Sequence, residues 1–502
     1  MKSTRRSWRA TFAACVALIA FVLSLPAHAT PWAEVGDIQL RSDIQVLAAA
    51  GLIDNVTMQW PMPWGGIITS LEKVDDLESQ PEYVREAAER VEAMARHEVQ
   101  TDRTNYDLSS DFTNQPATVR GFDALGRQEV QGAVSGEWVG KSMAVRISIG
   151  AQTTNHRDHQ TLMLDGSYIA QRVGGVAFYV GYQTRWWGPG WDTALSISNN
   201  ARPFPTIGYR RLSTKPWTWP ILRWLGPWNH EHFFGIFNDP RLARNTIFHA
   251  TRFEFNPFKG FEFAIARMQE FCGTGHPCQP IAEMFNVRNG NAYSSKSKDE
   301  ADFDFRYTNT FEGFTYEIYN QEMNRDTGPF VHSDTSHLFG ASLWVPIRHT
   351  AVRFTAEYAD TISTDNFFSF GKDFYGITYN DYKYVDGWQY RGRTLGSSLD
   401  TDSRLASFHA SWLGPESVTY SLSLYRAWVG SPLTNAAGHI YSASGLGNRV
   451  STVPVTIDVG EARLKVPLKN WSVEVAVRLQ DDQPRPNKGF EAAGELSINY
   501  RL

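Results

Sequence analysis

Cysteine is scarce in this sequence, with three in 502 residues, and so are the short signatures of a catalytic nucleophile. No Gly-x-Ser-x-Gly elbow and no His-Glu-x-x-His pair occurs, so neither a hydrolase nucleophile nor a zinc protease is marked. Carboxylates are plentiful, but no spacing singles out a glycosidase pair. Positive charge is not in excess: 48 Lys and Arg against 53 Asp and Glu give −5. That balance offers no bulk attraction to nucleic acid. Past Leu25 no apolar run is long enough to cross a bilayer as a helix, which argues against a helical membrane protein.

What is present begins with a leader. Lys2, Arg5, Arg6 and Arg9 precede an apolar run from Ala10 to Leu25, then Pro26 and the A-x-A site Ala27-His28-Ala29. This is the layout of a secretory signal peptide over residues 1–29. Phe12-Ala13-Ala14-Cys15 imitates a lipoprotein box but lies at the wrong end of the run. Cleavage removes four positive charges and no negative ones, so −5 becomes −9. The remaining cysteines, Cys272 and Cys278, sit in Cys-Gly-Thr-Gly-His-Pro-Cys. An oxidising compartment favours a short-range disulfide there, with two free thiols as the alternative. A zinc pair lacks a second ligand pair nearby, and no cofactor pattern occurs.

Residues 30–105 read as a small helical segment. Ser42 with Gln45 resembles a capping box, Ile44, Leu47 and Ala48 mark an apolar face, and Gly51 stops the helix. Pro61, Pro63, Gly65 and Gly66 interrupt the chain around Trp60 and Trp64. A second helix follows Pro81, with Tyr83, Val84, Ala87, Ala88, Val91 and Met94 at helical spacing. Glu82/Arg85 and Glu86/Arg90 are spaced to support it.

From about Val130 the period becomes two. Val134 and Trp138, Ile147 and Ile149, Phe253 and Phe255, Phe261 and Phe263, Phe303 and Phe305, Tyr316 and Ile318 alternate with polar residues. So do Phe354 and Tyr358, Tyr420, Leu422 and Leu424, and Val473, Val475 and Val477. A β-sandwich alternates too. Persistence to the C-terminus, the aromatic faces and a final strand ending Leu496, Ile498, Tyr500, Leu502 favour an all-β transmembrane barrel over residues 106–502. About 400 residues at roughly twenty per strand and connection predict about 16 to 20 antiparallel strands. The terminal strand resembles the signal read by the barrel-assembly machinery.

The most distinctive stretch is Tyr182-Gln183-Thr184-Arg185-Trp186-Trp187-Gly188-Pro189-Gly190-Trp191, followed by Ser198-Asn199-Asn200-Ala201-Arg202-Pro203 and Arg210-Arg211. With Pro31-Trp32, Gly36-Asp37, Trp60-Pro61 and Gly387-Trp388-Gln389-Tyr390-Arg391-Gly392-Arg393, it resembles the Wzi family of capsule-assembly outer-membrane proteins over nearly the whole mature chain. The resemblance implies a monomeric barrel of about eighteen strands, a small N-terminal α-helical domain in the periplasm, and extracellular loops that largely close the pore. It also implies a lectin-like, non-enzymatic role in attaching capsular or extracellular polysaccharide at the surface of a Gram-negative outer membrane, in contact with its lipid.

The residue chemistry suits sugar. Trp186, Trp187 and Trp191 offer apolar faces to pyranose rings, Asn199 and Asn200 carry donors and acceptors, and Arg185, Arg202, Arg210 and Arg211 match carboxylates. The alternative is that these groups, with Gly188, Pro189, Gly190 and Pro203, brace a plug in the lumen. Tyr390, Arg391, Gly392 and Arg393 read as structural, with Asp400 and Asp402 as nearby partners. Gly140-Lys141-Ser142 is a strand connection rather than a phosphate loop, and His156-Arg157-Asp158-His159 and His230-Glu231-His232 read as solvated loops. A porin or polysaccharide-export channel is the competing function on the same fold, and an outer-membrane hydrolase is a third.

Overall fold

Strand alternation has a consequence that separates a lipid-embedded sheet from a soluble one: the apolar row faces out. That is the arrangement found. Val134, Ile147, Ile149, Leu422, Leu424, Val477 and Leu479 are exposed, while the intervening Ser135, Glu137, Ser148, Ser423 and Arg478 are buried. The computed structural model describes residues 32–54, 56–155, 158–278, 297–325, 334–364, 373–381, 383–430, 447–451, 453–481 and 489–502. Among them, eighteen antiparallel strands close into a barrel. The first, Arg103–Thr113, pairs with the last, Phe490–Arg501, through Leu108↔Tyr500 and Phe112↔Leu496, which removes the sheet edges. The leader, Pro31, His156 and Arg157 lie outside the described residues.

The two ends of the barrel differ. One carries tight turns such as Gly174-Gly175, Lys259-Gly260, Glu312-Gly313 and Lys469-Asn470. The other carries the long connections 114–129, 182–205 and 375–402.

Three helices occupy the short-turn end: α1 (Ile38–Ala50), α2 (Trp64–Leu71) and α3 (Glu82–Glu98). Helix α1 starts a turn earlier than Ser42 suggested. Asp37 is its N-cap, accepting from the Leu40 N–H at 2.9 Å, and Ser42 is instead buried and accepts from Trp344 Nε1 at 2.7 Å. Gly51 ends it with φ 79°. Helix α2 forms where an interruption was predicted. Burial of Trp64, Ile67 and Leu71 outweighs the low propensity of Gly65 and Gly66. On α3 the Glu86–Arg90 pair forms at 3.9 Å, but Arg85 turns to Glu78 and Glu82 reaches His349 on the barrel.

These helices are not a detached unit. Residues Ile38 to Ala49 of α1 are all buried, and their apolar side chains share one core with Trp186, Trp187, Trp191 and the inner faces of the strands. Tyr83 hydrogen-bonds Thr315 at 2.8 Å, and Lys465 pairs with Asp37 at 3.1 Å. Between this plug and the wall formed by strands 103–152 and 471–501 lies a polar cavity of about 850 Å³, lined by Asp107, Arg120, Arg146, Glu474 and Arg501 among others. His230-Glu231-His232 is not a loop but part of strand Trp228–Phe237, with Glu231 facing the lumen. Gly140-Lys141-Ser142 joins two strands as predicted. Cys272 and Cys278 form a disulfide with Cα atoms 4.2 Å apart.

Candidate functional site: an arginine-lined cleft above the plug

The Trp-Trp-Gly-Pro-Gly-Trp stretch enters the lumen and meets the N-terminal arm. Trp186 and Trp187 pair as a short ribbon with Trp60 and Gln59. All three indoles are buried. Two guanidinium groups lie over the Trp191 ring, Arg41 at 4.2 Å and Arg353 at 3.5 Å, and its Nε1 donates to Glu317 at 2.8 Å. Trp186 Nε1 donates to Gly190 O at 3.0 Å, and Trp187 meets Phe233 edge-on. Arg41 also donates to the carbonyls of Pro189 (2.7 Å) and Gly190 (2.9 Å). Gly188 has φ 136°, and a Cβ there would lie 2.7 Å from Gln321 Oε1, so only glycine fits. The indole faces are thus occupied by protein, and none is open to a pyranose ring. Trp186 and Trp187 are fully closed off at 0% exposure.

Arg185 belongs to the same interior. It pairs with Glu231 at 3.1 Å, as Arg210 does at 2.7 Å, in a triad with no solvent access. Arg211 instead covers the ring of Trp228 at 3.7 Å.

Asn199, Asn200 and Arg202 rise to the long-connection end. Asn199 Nδ2 donates to the carbonyls of Gly121 and Phe122 (3.0 and 2.9 Å), and Asn200 Nδ2 to Thr394 O at 2.9 Å. Pro203 continues the turn that leads back to strand Thr206–Arg211. Arg202 is gripped by Asp158 at 3.1 Å and Asp165 at 2.9 Å.

Over these residues sits the tip of a small hairpin. Gln389-Tyr390 pairs with Arg393-Thr394, and Arg391 and Gly392 form its two-residue turn with φ 49° and 74°. Positive φ at both central positions is the type I′ requirement, which Gly392 meets without strain. Tyr390 OH donates to Asn238 at 2.6 Å, anchoring the hairpin. Its arginines do not use Asp400 and Asp402, the partners expected from sequence. Arg391 approaches Asp158 at 3.5 Å, and Arg393 donates to Asn200 Oδ1 at 3.3 Å and Arg127 O at 2.8 Å. Asp400 instead holds Arg449, and Asp402 accepts from the Gly376 N–H at 2.8 Å.

Together Arg127, Arg202, Arg391 and Arg393, with Pro116, Gln128, Asn155 and Asp158, line a cleft of about 200 Å³. Four guanidinium groups and one carboxylate, Asp158, line the cleft, with Asp165 3.8 Å from Arg127 and 2.9 Å from Arg202. Burial works against the Asp158 charge, but the Gln160 N–H and Arg202 hold its carboxyl below the usual aspartate range. Arg127, Gln128 and Asn155 were not singled out from sequence, because they lie in loops with no local pattern.

The comparisons with known proteins agree with this architecture. A family model described as capsule assembly protein Wzi matches residues 100–475. A relative from Klebsiella pneumoniae, named only as an uncharacterized 55.8 kDa protein in the cps region, is 24% identical over 319 residues, or 61% of this chain. The chain spans 60% of that relative's length. Wzi from Escherichia coli, described as a carbohydrate-binding β-barrel involved in group 1 capsule assembly, superimposes with a TM-score of 0.75 at 19% identity. That match covers 93% of this chain and 98% of the other, and at this identity it speaks for the fold. The chain, a closed antiparallel β-barrel, belongs to the Wzi family of capsule assembly proteins.

Proposed function

We propose that this protein attaches acidic capsular or extracellular polysaccharide to the cell surface, and that polymer carboxylates dock in the cleft of Arg127, Arg202, Arg391 and Arg393. In bacterial barrels short turns face the periplasm and long loops the exterior, which supports a cleft that faces outward and helices α1–α3 on the periplasmic side. The observation that carries the reading is the convergence of four guanidinium groups on one cleft rimmed by amides. Planar guanidinium forks match carboxylates in paired hydrogen bonds.

The test is a double substitution, Arg391→Asn with Arg393→Gln. Asparagine tolerates the left-handed turn position, so the hairpin is retained. Each hydrogen bond to a charged group contributes about 1.5–3 kcal/mol, so polymer affinity is expected to fall by about tenfold to a hundredfold or more. Pull-down with purified polymer measures this, with heat-modifiable gel mobility as the folding control. A folded double variant that binds normally overturns the assignment. Deleting the protein should release polymer into the medium while synthesis continues. In planar bilayers the filled lumen should pass no large steady current; such a current would favour the channel instead.

Acidity supplies a second check. The Asp158 carboxyl is depressed, so its contribution is present above the unfolded value and lost only as pH falls through the lower folded one. Between about pH 7 and pH 4 the cleft should therefore stay intact. Binding should decline only as the polymer's own acids protonate. A midpoint near neutrality would contradict this.

A further inference from the structure

The connection between strands Thr206–Arg211 and Trp228–Phe237 is out of keeping with its end of the barrel, where neighbours such as Lys259-Gly260 are minimal turns. It spans residues 212–227 and reads Lys215-Pro216-Trp217-Thr218-Trp219-Pro220-Ile221-Leu222-Arg223-Trp224-Leu225 in its middle. Its path is outward. Trp217 stacks on Trp228 with centroids 3.8 Å apart and reaches Phe255 at 6.0 Å. Both partners belong to outward rows, since Asn229, Glu231 and Glu254, which alternate with them, are buried in the lumen. Gly226 pins the segment to the rim against Asn256, and Arg211 ties its start by donating to Trp228 O and Lys215 O.

Beyond this clamp, Trp219, Ile221 and Trp224 are 66%, 77% and 72% exposed on and beside a single 3-10 turn, Leu222–Leu225. The Arg223 guanidinium lies 5.6 Å from the Trp224 ring. Full exposure of three large apolar side chains to water is unfavourable by about 1.5–3 kcal/mol each. The same rim carries other outward apolar groups, Phe258, Phe311, Trp412 and Trp471, so the loop extends an existing band. Indoles flanked by cations are the composition that suits the boundary between phospholipid headgroups and acyl chains.

We propose that residues 217–225 are a membrane-interface anchor: Trp219, Ile221 and Trp224 insert beside the barrel wall into phospholipid, with Lys215 and Arg223 meeting its phosphates. The orientation proposed above makes this the inner leaflet of the outer membrane, but lipid contact itself does not depend on that reading. The full-length mature protein carrying Ile221→Cys, with a nitroxide label, is reconstituted into phosphatidylethanolamine/phosphatidylglycerol vesicles. The ratio of collision with oxygen to collision with a water-soluble nickel chelate is compared with that at Glu89→Cys, on the exposed face of α3. An anchor predicts a ratio about tenfold higher at residue 221. A ratio equal to that at residue 89 means water and overturns the proposal. Exclusion of both reagents means protein contact, as for a docked partner, and overturns it too. Should the label at 221 prevent folding on heat-modifiable gels, the exposed Thr218→Cys gives the same readout.

Discussion

Replacing Glu231 by alanine is expected to destabilise the folded barrel by about 3–5 kcal/mol, the penalty for stranding buried charge. The carboxylate receives Arg185 at 3.1 Å, Arg210 at 2.7 Å, the Tyr179 hydroxyl at 2.6 Å and Gln59 Nε2 at 2.9 Å. Its loss leaves two guanidinium groups facing each other out of water, with no acid between them. Urea unfolding of the protein in lipid vesicles, followed by gel mobility, measures the change. Glu231→Gln, which keeps an acceptor but no charge, should fall between wild type and alanine. A loss under about 1 kcal/mol would mean that water reaches this triad.

Trp191→Ala comes second, with an expected loss of about 3–5 kcal/mol from the cavity it creates in the plug. The indole ring carries both Arg41 and Arg353 and supplies a donor to Glu317, so its removal also strips both guanidinium groups of their ring contact and Glu317 of a donor. Because Asn199, Asn200 and Arg202 follow on the same segment, polymer binding should weaken along with stability. Trp191→Phe keeps a ring for the two guanidinium groups and should recover part of both. Equal stability of alanine and phenylalanine variants in the same unfolding assay would refute a bracing role for the ring.

The wall was legible because its signal is local. Alternation at residues such as Val473, Val475 and Val477 needs no knowledge of the partner strand, and the aromatic outer face follows from the same period. The helix boundaries were less so, since Ser42 and Asp37 both have capping chemistry and only burial decides between them. Tryptophan was ambiguous for a deeper reason. An indole face accepts a sugar ring or a guanidinium alike, and the guanidinium groups over Trp191 come from Arg41 and Arg353, each about 150 residues away along the chain. Tyr390-Arg391-Gly392-Arg393 did announce something local, a tight turn presenting two arginines. What stayed hidden was the company they keep: Arg127 and Asp158 sit in polar connections, distant in sequence, where composition carries no address.

The pairing of Arg103–Thr113 with Phe490–Arg501 makes the cylinder a clasp fastened between the earliest and the latest ribs of the wall. A contact of such sequence separation forms slowly, because most of the chain must already be ordered before it is reached. Until then the buried arginine and glutamate sets beneath it can remain hydrated, and the N-terminal arm can settle among them from the side. The void beside that clasp is bordered by Asp107, Ser109, Ser497 and Asn499, so the closing seam is polar on its inner side.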